Sequence, residues 1–139
     1  MSWLERSVLL LAAMLCGGFV AFGGVGFSAA VEPDGDATST WVAWCIAGAI
    51  VAAPLWLPAL VPNRLPHALK VCRRVSAALL VLPTCLFGSI VVHNLGRAVS
   101  SMGVASAALA QGAVLSVACI VCLFILLRPG PGGDAPRGA

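Results

Sequence analysis

Charged positions divide this chain into long silent stretches. Between Ser7 and Val31, Thr40 and Val61, Val75 and Gly96, and Gly103 and Leu127 there is no Asp, Glu, Lys or Arg. Each run exceeds the roughly 18 residues that mark a helix able to cross ~30 Å of hydrocarbon. The pattern predicts an all-α integral membrane protein, an antiparallel four-transmembrane-helix bundle with helices at about 7–31, 40–61, 75–96 and 103–127. Short polar links join them, so residues 1–128 form a single membrane domain. The run Pro129-Gly130-Pro131-Gly132-Gly133 opens a disordered cytoplasmic tail, 129–139.

Composition strengthens this reading. The 139 residues are 60% hydrophobic and 9% charged, with a mean hydropathy of +1.04. A soluble domain has roughly 45–50% apolar and about 25% charged residues. The sequence Ser28-Ala29-Ala30 resembles a signal-peptide cleavage site. However, the apolar region before it is about 24 residues long, against about 7–15 for a signal core, and that length favours a retained span.

Charge then sets the expected topology. The stretch 31–40 carries Glu32, Asp34 and Asp36 and no base, whereas 62–74 carries Arg64, Lys70, Arg73 and Arg74. With alternating helices, all basic residues except Arg97 fall on one side. Lys and Arg mark the cytoplasmic side, so the expectation is N-in and C-in. The Ala/Gly/Pro/Arg bias points to the cytoplasmic (inner) membrane of a bacterium. Arg64, Lys70, Arg73 and Arg74 are candidate contacts to anionic lipid headgroups, each base contributing about 1 kcal/mol near such a surface. A net charge of +3 concentrated at helix ends leaves no nucleic-acid footprint.

Within the first helix Ala13, Gly17, Ala21, Gly24 and Ser28 share one face, a seam for close packing within the chain. After the acidic turn, Thr38, Ser39 or Thr40 is expected to cap the second helix. Trp41 and Trp44 are expected to anchor at the interface. Prolines follow at 54, 58, 62 and 66. Each removes a backbone donor, which makes Pro54 and Pro58 candidates for a hinge. The simpler reading is a helix that kinks near Pro54 and ends as it reaches water.

Polar residues inside the spans are few. Ser89, His93 and Arg97 lie four residues apart on one face of the third helix, and Gln111 lies in the fourth. They form either a polar pathway or a set of interhelical contacts, with Ser89 or Thr84 as the expected partner of Gln111. The pair His93-Asn94 also reads as a helix end, with a snorkelling Arg97.

No carboxylate lies in any span, which removes the usual Asp/Glu proton relay. It also separates this chain from the small multidrug-resistance transporters, which are similar in size but depend on a glutamate in the first helix. Two histidines, on opposite sides of the predicted bilayer, offer no metal site, and no catalytic set or cofactor motif is visible. Cys119-Ile120-Val121-Cys122 is similar in spacing to the active-site pair of the four-helix vitamin K epoxide reductases. That resemblance covers four residues and implies thiol–disulfide chemistry. Here the stretch 31–40 lacks partner cysteines, and the pair lies near the predicted cytoplasmic end, so Cys119 and Cys122 read as packing residues.

The expected function is a non-catalytic interaction protein, an accessory or assembly subunit of a larger membrane complex. Its partners would be the lipid bilayer together with another membrane protein or a homo-oligomer. The alternatives are an oligomeric channel or small-solute transporter, and a membrane thiol oxidoreductase using Cys119 and Cys122.

Overall fold

A computed structural model describes residues 1–100 and 104–129, with side-chain environments for 1–96 and 109–129. The helices are α1 (Trp3–Val31), α2 (Ala37–Val51), α3 (Ala53–Leu60), α4 (Pro66–Ser100) and α5 (Val104–Leu127). No strand occurs among the described residues. Three helices are individually long and apolar enough to cross a membrane, and α2 and α3, bent by 65°, make a fourth span if taken together. The predicted tail, apart from Pro129, and the predicted start of the last span at 103 lie outside the described residues.

Local chemistry explains the helix ends. Ser2 and Glu5 form a reciprocal capping box at the start of α1. Pro33 disfavours helical geometry in the residue before it, and α1 stops at Val31. The cap of α2 is Asp36, not the expected Thr38, Ser39 or Thr40. Its carboxylate accepts from the N–H groups of Thr38 at 3.3 Å and Ser39 at 3.2 Å. The hydroxyls of Ser39 and Thr40 instead donate back to the Asp36 carbonyl. A carboxylate also suits the positive end of the helix dipole better than a hydroxyl does.

The small-residue face of α1 lies against α2. Backbones meet at Gly17 and Gly48, where a methyl on Gly48 would sit 2.5 Å from the Gly17 carbonyl oxygen. Further along, the Trp44 indole occupies the space that a Cβ on Gly24 would need. Its Nε1–H donates to Ser28 Oγ at 2.8 Å. Trp44 is therefore a packing residue. Trp41 stays 39% exposed and stacks edge-on against Phe22, with ring centroids 5.3 Å apart.

The prolines punctuate the next segment. Pro54 occupies the first turn of α3, where a missing N–H matters little, and Pro58 lies inside α3. Pro62 falls in the turn that follows, and Pro66 opens α4. The 65° bend at Ala52 directly precedes Pro54. Near this break the Trp56 indole N–H donates to the Ala49 carbonyl at 2.9 Å, supplying a donor in the last turn of α2.

The bend directs α3 into the bundle. Leu55, Pro58 and Ala59 are buried there, with Leu9, Ala12, Ala13 and Cys16 of α1, Ala77 and Leu80 of α4, and Cys119, Cys122 and Leu126 of α5 in the same core. Beyond it, Phe19 and Phe87 meet edge-on at 5.9 Å. On α5, Gly112 lies under Val91 and Ile90 of α4.

One expected loop is helical. The basic stretch Lys70–Arg74 belongs to α4, which runs for 35 residues. With Pro66 at its first position and no breaker before Pro83, nothing stops the helix from starting early. At 1.5 Å per residue it is about 52 Å long. That exceeds the ~30 Å hydrocarbon core, so its basic turns extend past one boundary.

Two substitutions test this packing. Gly48→Leu places a branched side chain against the Gly17 backbone and is expected to destabilise by about 1–3 kcal/mol or more, measured by thermal unfolding in detergent. Trp56→Phe keeps the ring and loses the bond to Ala49, an expected loss of about 1 kcal/mol. Faster amide exchange around residues 49–53 is its local signature.

Candidate functional site

The predicted polar residues are dispersed. Ser89 is exposed on α4, and its hydroxyl donates back to the Leu86 carbonyl at 2.8 Å. His93 is also exposed, whereas the neighbouring Asn94 amide returns to the Ile90 carbonyl at 2.8 Å. The side chain of Arg97, the expected snorkelling base, lies outside the described residues. Thr84 is turned back onto the Leu80 carbonyl at 2.7 Å. Gln111 therefore meets neither Thr84 nor Ser89. It lines a surface cleft of about 680 Å³ between α1 and α5, beside Gly18, Phe19 and Phe22. There it has no side-chain hydrogen bond to another described residue, and methyls at Gly18 or Gly23 would meet nothing within 4 Å.

The basic residues divide by direction. Arg73 turns into the bundle, where its Nη2 donates to the carbonyls of Ile125 at 2.6 Å and Arg128 at 2.8 Å. A cation on the last carbonyls of α5 satisfies groups the helix cannot, and it complements the helix dipole. Its Nε is buried with no partner among the described residues. Arg6 does the same for α3, donating to the Val61 carbonyl at 2.9 Å and to Asn63 Oδ1 at 2.8 Å. Arg64, Lys70 and Arg74 remain exposed at the same end. Glu5, the carboxylate nearest in sequence to Arg6, is engaged in the capping box of α1.

A second hollow, of about 740 Å³, opens between the α2–α3 bend and the first half of α4. Ile50, Pro54 and Leu57 form one wall, and Val71, Val75 and Leu79 form the other. Pro54 thus lines it, while Pro58 is fully buried on the core side. Its polar lining, His67, Cys72 and Ser76, comes from the first three turns of α4.

Sequence reasoning singled out Cys119 and Cys122 but not Cys16. All three are buried free thiols in one core. The Cys16 and Cys119 thiols lie near each other where α1 meets α5 in this core. The available signal was position: Cys16 is three and four residues beyond Ala13 and Ala12, on the same buried face. Among the described residues no group of three or more His, Cys, Asp or Glu side chains is placed to hold a metal ion.

No protein family matches the chain, and no curated protein or solved structure is significantly similar to it.

Proposed function

We propose that this chain is a non-catalytic accessory or assembly subunit of a larger membrane complex, held in the cytoplasmic membrane of a bacterium. In this reading α2 and α3 form one broken span, the chain crosses four times, and both termini face the cytoplasm. Taking α2 and α3, bent by 65°, as one span supports the fourth crossing, and the positive-inside count supports the orientation.

The observation that carries the reading is the placement of Gln111. A primary amide on the outer surface of an apolar helix loses water without gaining a partner, unless another protein covers it. Glycines with open space above them lie across the same cleft and allow a second backbone to approach closely. Meanwhile the buried polar groups among the described residues are few, the Ser76 side chain, the Ser116 hydroxyl and the Arg73 Nε. A pathway through the monomer would need a polar lining there, so the channel reading has support only from an assembly.

Photo-crosslinking in the native membrane tests this. A photoreactive residue in place of Gln111 is expected to give one discrete protein adduct, and one in place of lipid-facing Ile46 none. Gln111→Leu and Gly18→Leu are expected to weaken co-purification of that adduct partner at least fivefold. Lipid adducts alone at 111 would rule the reading out.

The thiol oxidoreductase reading gains one specific support, the approach of Cys16 to Cys119. It is tested by mild oxidation followed by alkylation and mass measurement. If the thiols are packing groups, Cys16→Ser and Cys119→Ala change stability by about 1–2 kcal/mol and leave cellular function intact. Loss of function with unchanged stability would transfer weight to redox chemistry.

A further inference from the structure

The geometry points to the groove between the α2–α3 bend and α4 as a binding site for one anionic phospholipid, with an acyl chain along the groove and the headgroup at Arg64, Lys70 and Arg74. The inference rests on the four-span reading, since the groove must lie in hydrocarbon. It does not depend on the accessory role.

The first argument is polarity along the groove. Its wall on α4 begins at His67 and ends at Pro83. Polar side chains occur only in the part from His67 to Ser76, and Leu79, Leu82 and Pro83 continue the wall without a polar atom in their side chains. The opposite wall, from Ile50 to Leu57, is entirely apolar. A ligand that fits is amphiphilic, with its polar end toward the start of α4.

The second argument is length. From His67 to Pro83 the helical rise amounts to about 24 Å. Half of a bilayer with its headgroup region is ~20–22 Å deep. The whole groove, polar end included, therefore has the reach of one phospholipid from its headgroup to the bilayer midplane.

Charge is the third argument, and it selects among lipids. Arg64, Lys70 and Arg74 are exposed in the same turns as the polar end of the groove, near its lining residues in sequence but not part of the lining. The neighbouring bases are already committed, Arg73 to the end of α5 and Arg6 to the end of α3. Among the described residues the three acids of the 32–36 turn lie at the other end of α1 and α2. Glu5 is held in the capping box. These outward cations are available to an anionic headgroup at that end, with no competing carboxylate from these elements.

The bend explains why a groove exists here. A straight second span would lie along α4 and close the space. Turning by 65° at Ala52, the chain packs α3 into the core and leaves its hinge-side wall, Ile50 to Leu57, facing lipid across a gap.

The full-length protein in nanodiscs of mixed phosphatidylcholine and phosphatidylglycerol provides the test, with retained lipid read by native mass spectrometry after release. The wild type is expected to retain one phosphatidylglycerol per chain, preferred over phosphatidylcholine by at least about tenfold. Each base near such a surface contributes about fivefold. The triple variant Arg64→Gln, Lys70→Gln, Arg74→Gln is therefore expected to lose that preference. Val75→Trp, at a half-exposed position, is expected to expel the lipid whatever its headgroup, with helix content unchanged. Independently of any variant, phosphatidylglycerol with a photoreactive group at mid-chain is expected to label residues 50–57 and 71–83. Equal retention of both lipids, or labelling spread evenly over the outer faces of α1 and α5, would overturn the site. Extraction of the protein by alkaline carbonate would instead show that the spanning reading itself had failed.

Discussion

In hydrocarbon a backbone carbonyl has no water to turn to, so each one without a donor costs several kcal/mol. The rest of this structure depends on how α2 and α3 meet that constraint at the break between them. Pro54 and Pro58 remove donors where the helix would otherwise continue. The chain breaks at Ala52, starts a new helix with Pro54 in its first turn, and brings the Trp56 indole back to the Ala49 carbonyl. Two consequences follow on opposite sides of the break. On one side Leu55, Pro58 and Ala59 become core residues between α1 and α4. On the other, the wall from Ile50 to Leu57 is left facing a groove.

The same constraint acts at the helix ends. α3 and α5 finish close to the start of α1 and of α4, and in each case an arginine from the neighbouring helix supplies the donors that the last carbonyls lack. Arg6 and Arg73 are also bases of the kind that fix orientation during insertion. Cations placed at one end for topology are then available to close that end of the bundle. At the opposite end the hairpins α1–α2 and α4–α5 have no such ties among the described residues. Toward that end the Trp44 indole on Ser28 joins α1 to α2, and nearer mid-helix the close approaches are Gly17 to Gly48 and Gly112 under Val91.

The spans, their apolar character and the small seam of α1 were legible in the sequence because each is a one-dimensional property. A run of uncharged residues has a length, and a helical period assigns a face. The position of the bend was legible for the same reason, since Pro54 acts on its own carbonyl neighbourhood. What could not be read was juxtaposition. Gly48 has no special neighbours in sequence and becomes essential only against Gly17. Cys16 gains meaning only beside Cys119. The start of α4 was missed because the charges of Lys70–Arg74 suggest a loop. In fact the helix begins before them, because nothing between Pro66 and Pro83 breaks it. Asp36 was missed as a cap because its membership of an acidic cluster obscured its spacing from Thr38 and Ser39.

Charge and polarity are distributed in this molecule in a way that opposes an internal pathway. The core is made of Leu, Ala, Pro, Phe and Cys, and the buried polar groups among the described residues are the Ser76 side chain, the Ser116 hydroxyl and the Arg73 Nε. The amide of Gln111, the imidazole of His93 and the hydroxyl of Ser89 all point outward. In a soluble protein that arrangement is ordinary, because water meets the polar groups. In a bilayer the outside is the less polar environment, and an outward amide at span depth is costly until something with hydrogen-bonding capacity adjoins it. A single copy of the chain is thus complete in its packing but incomplete in its solvation. Its surface, rather than its interior, is where its chemistry has to be satisfied.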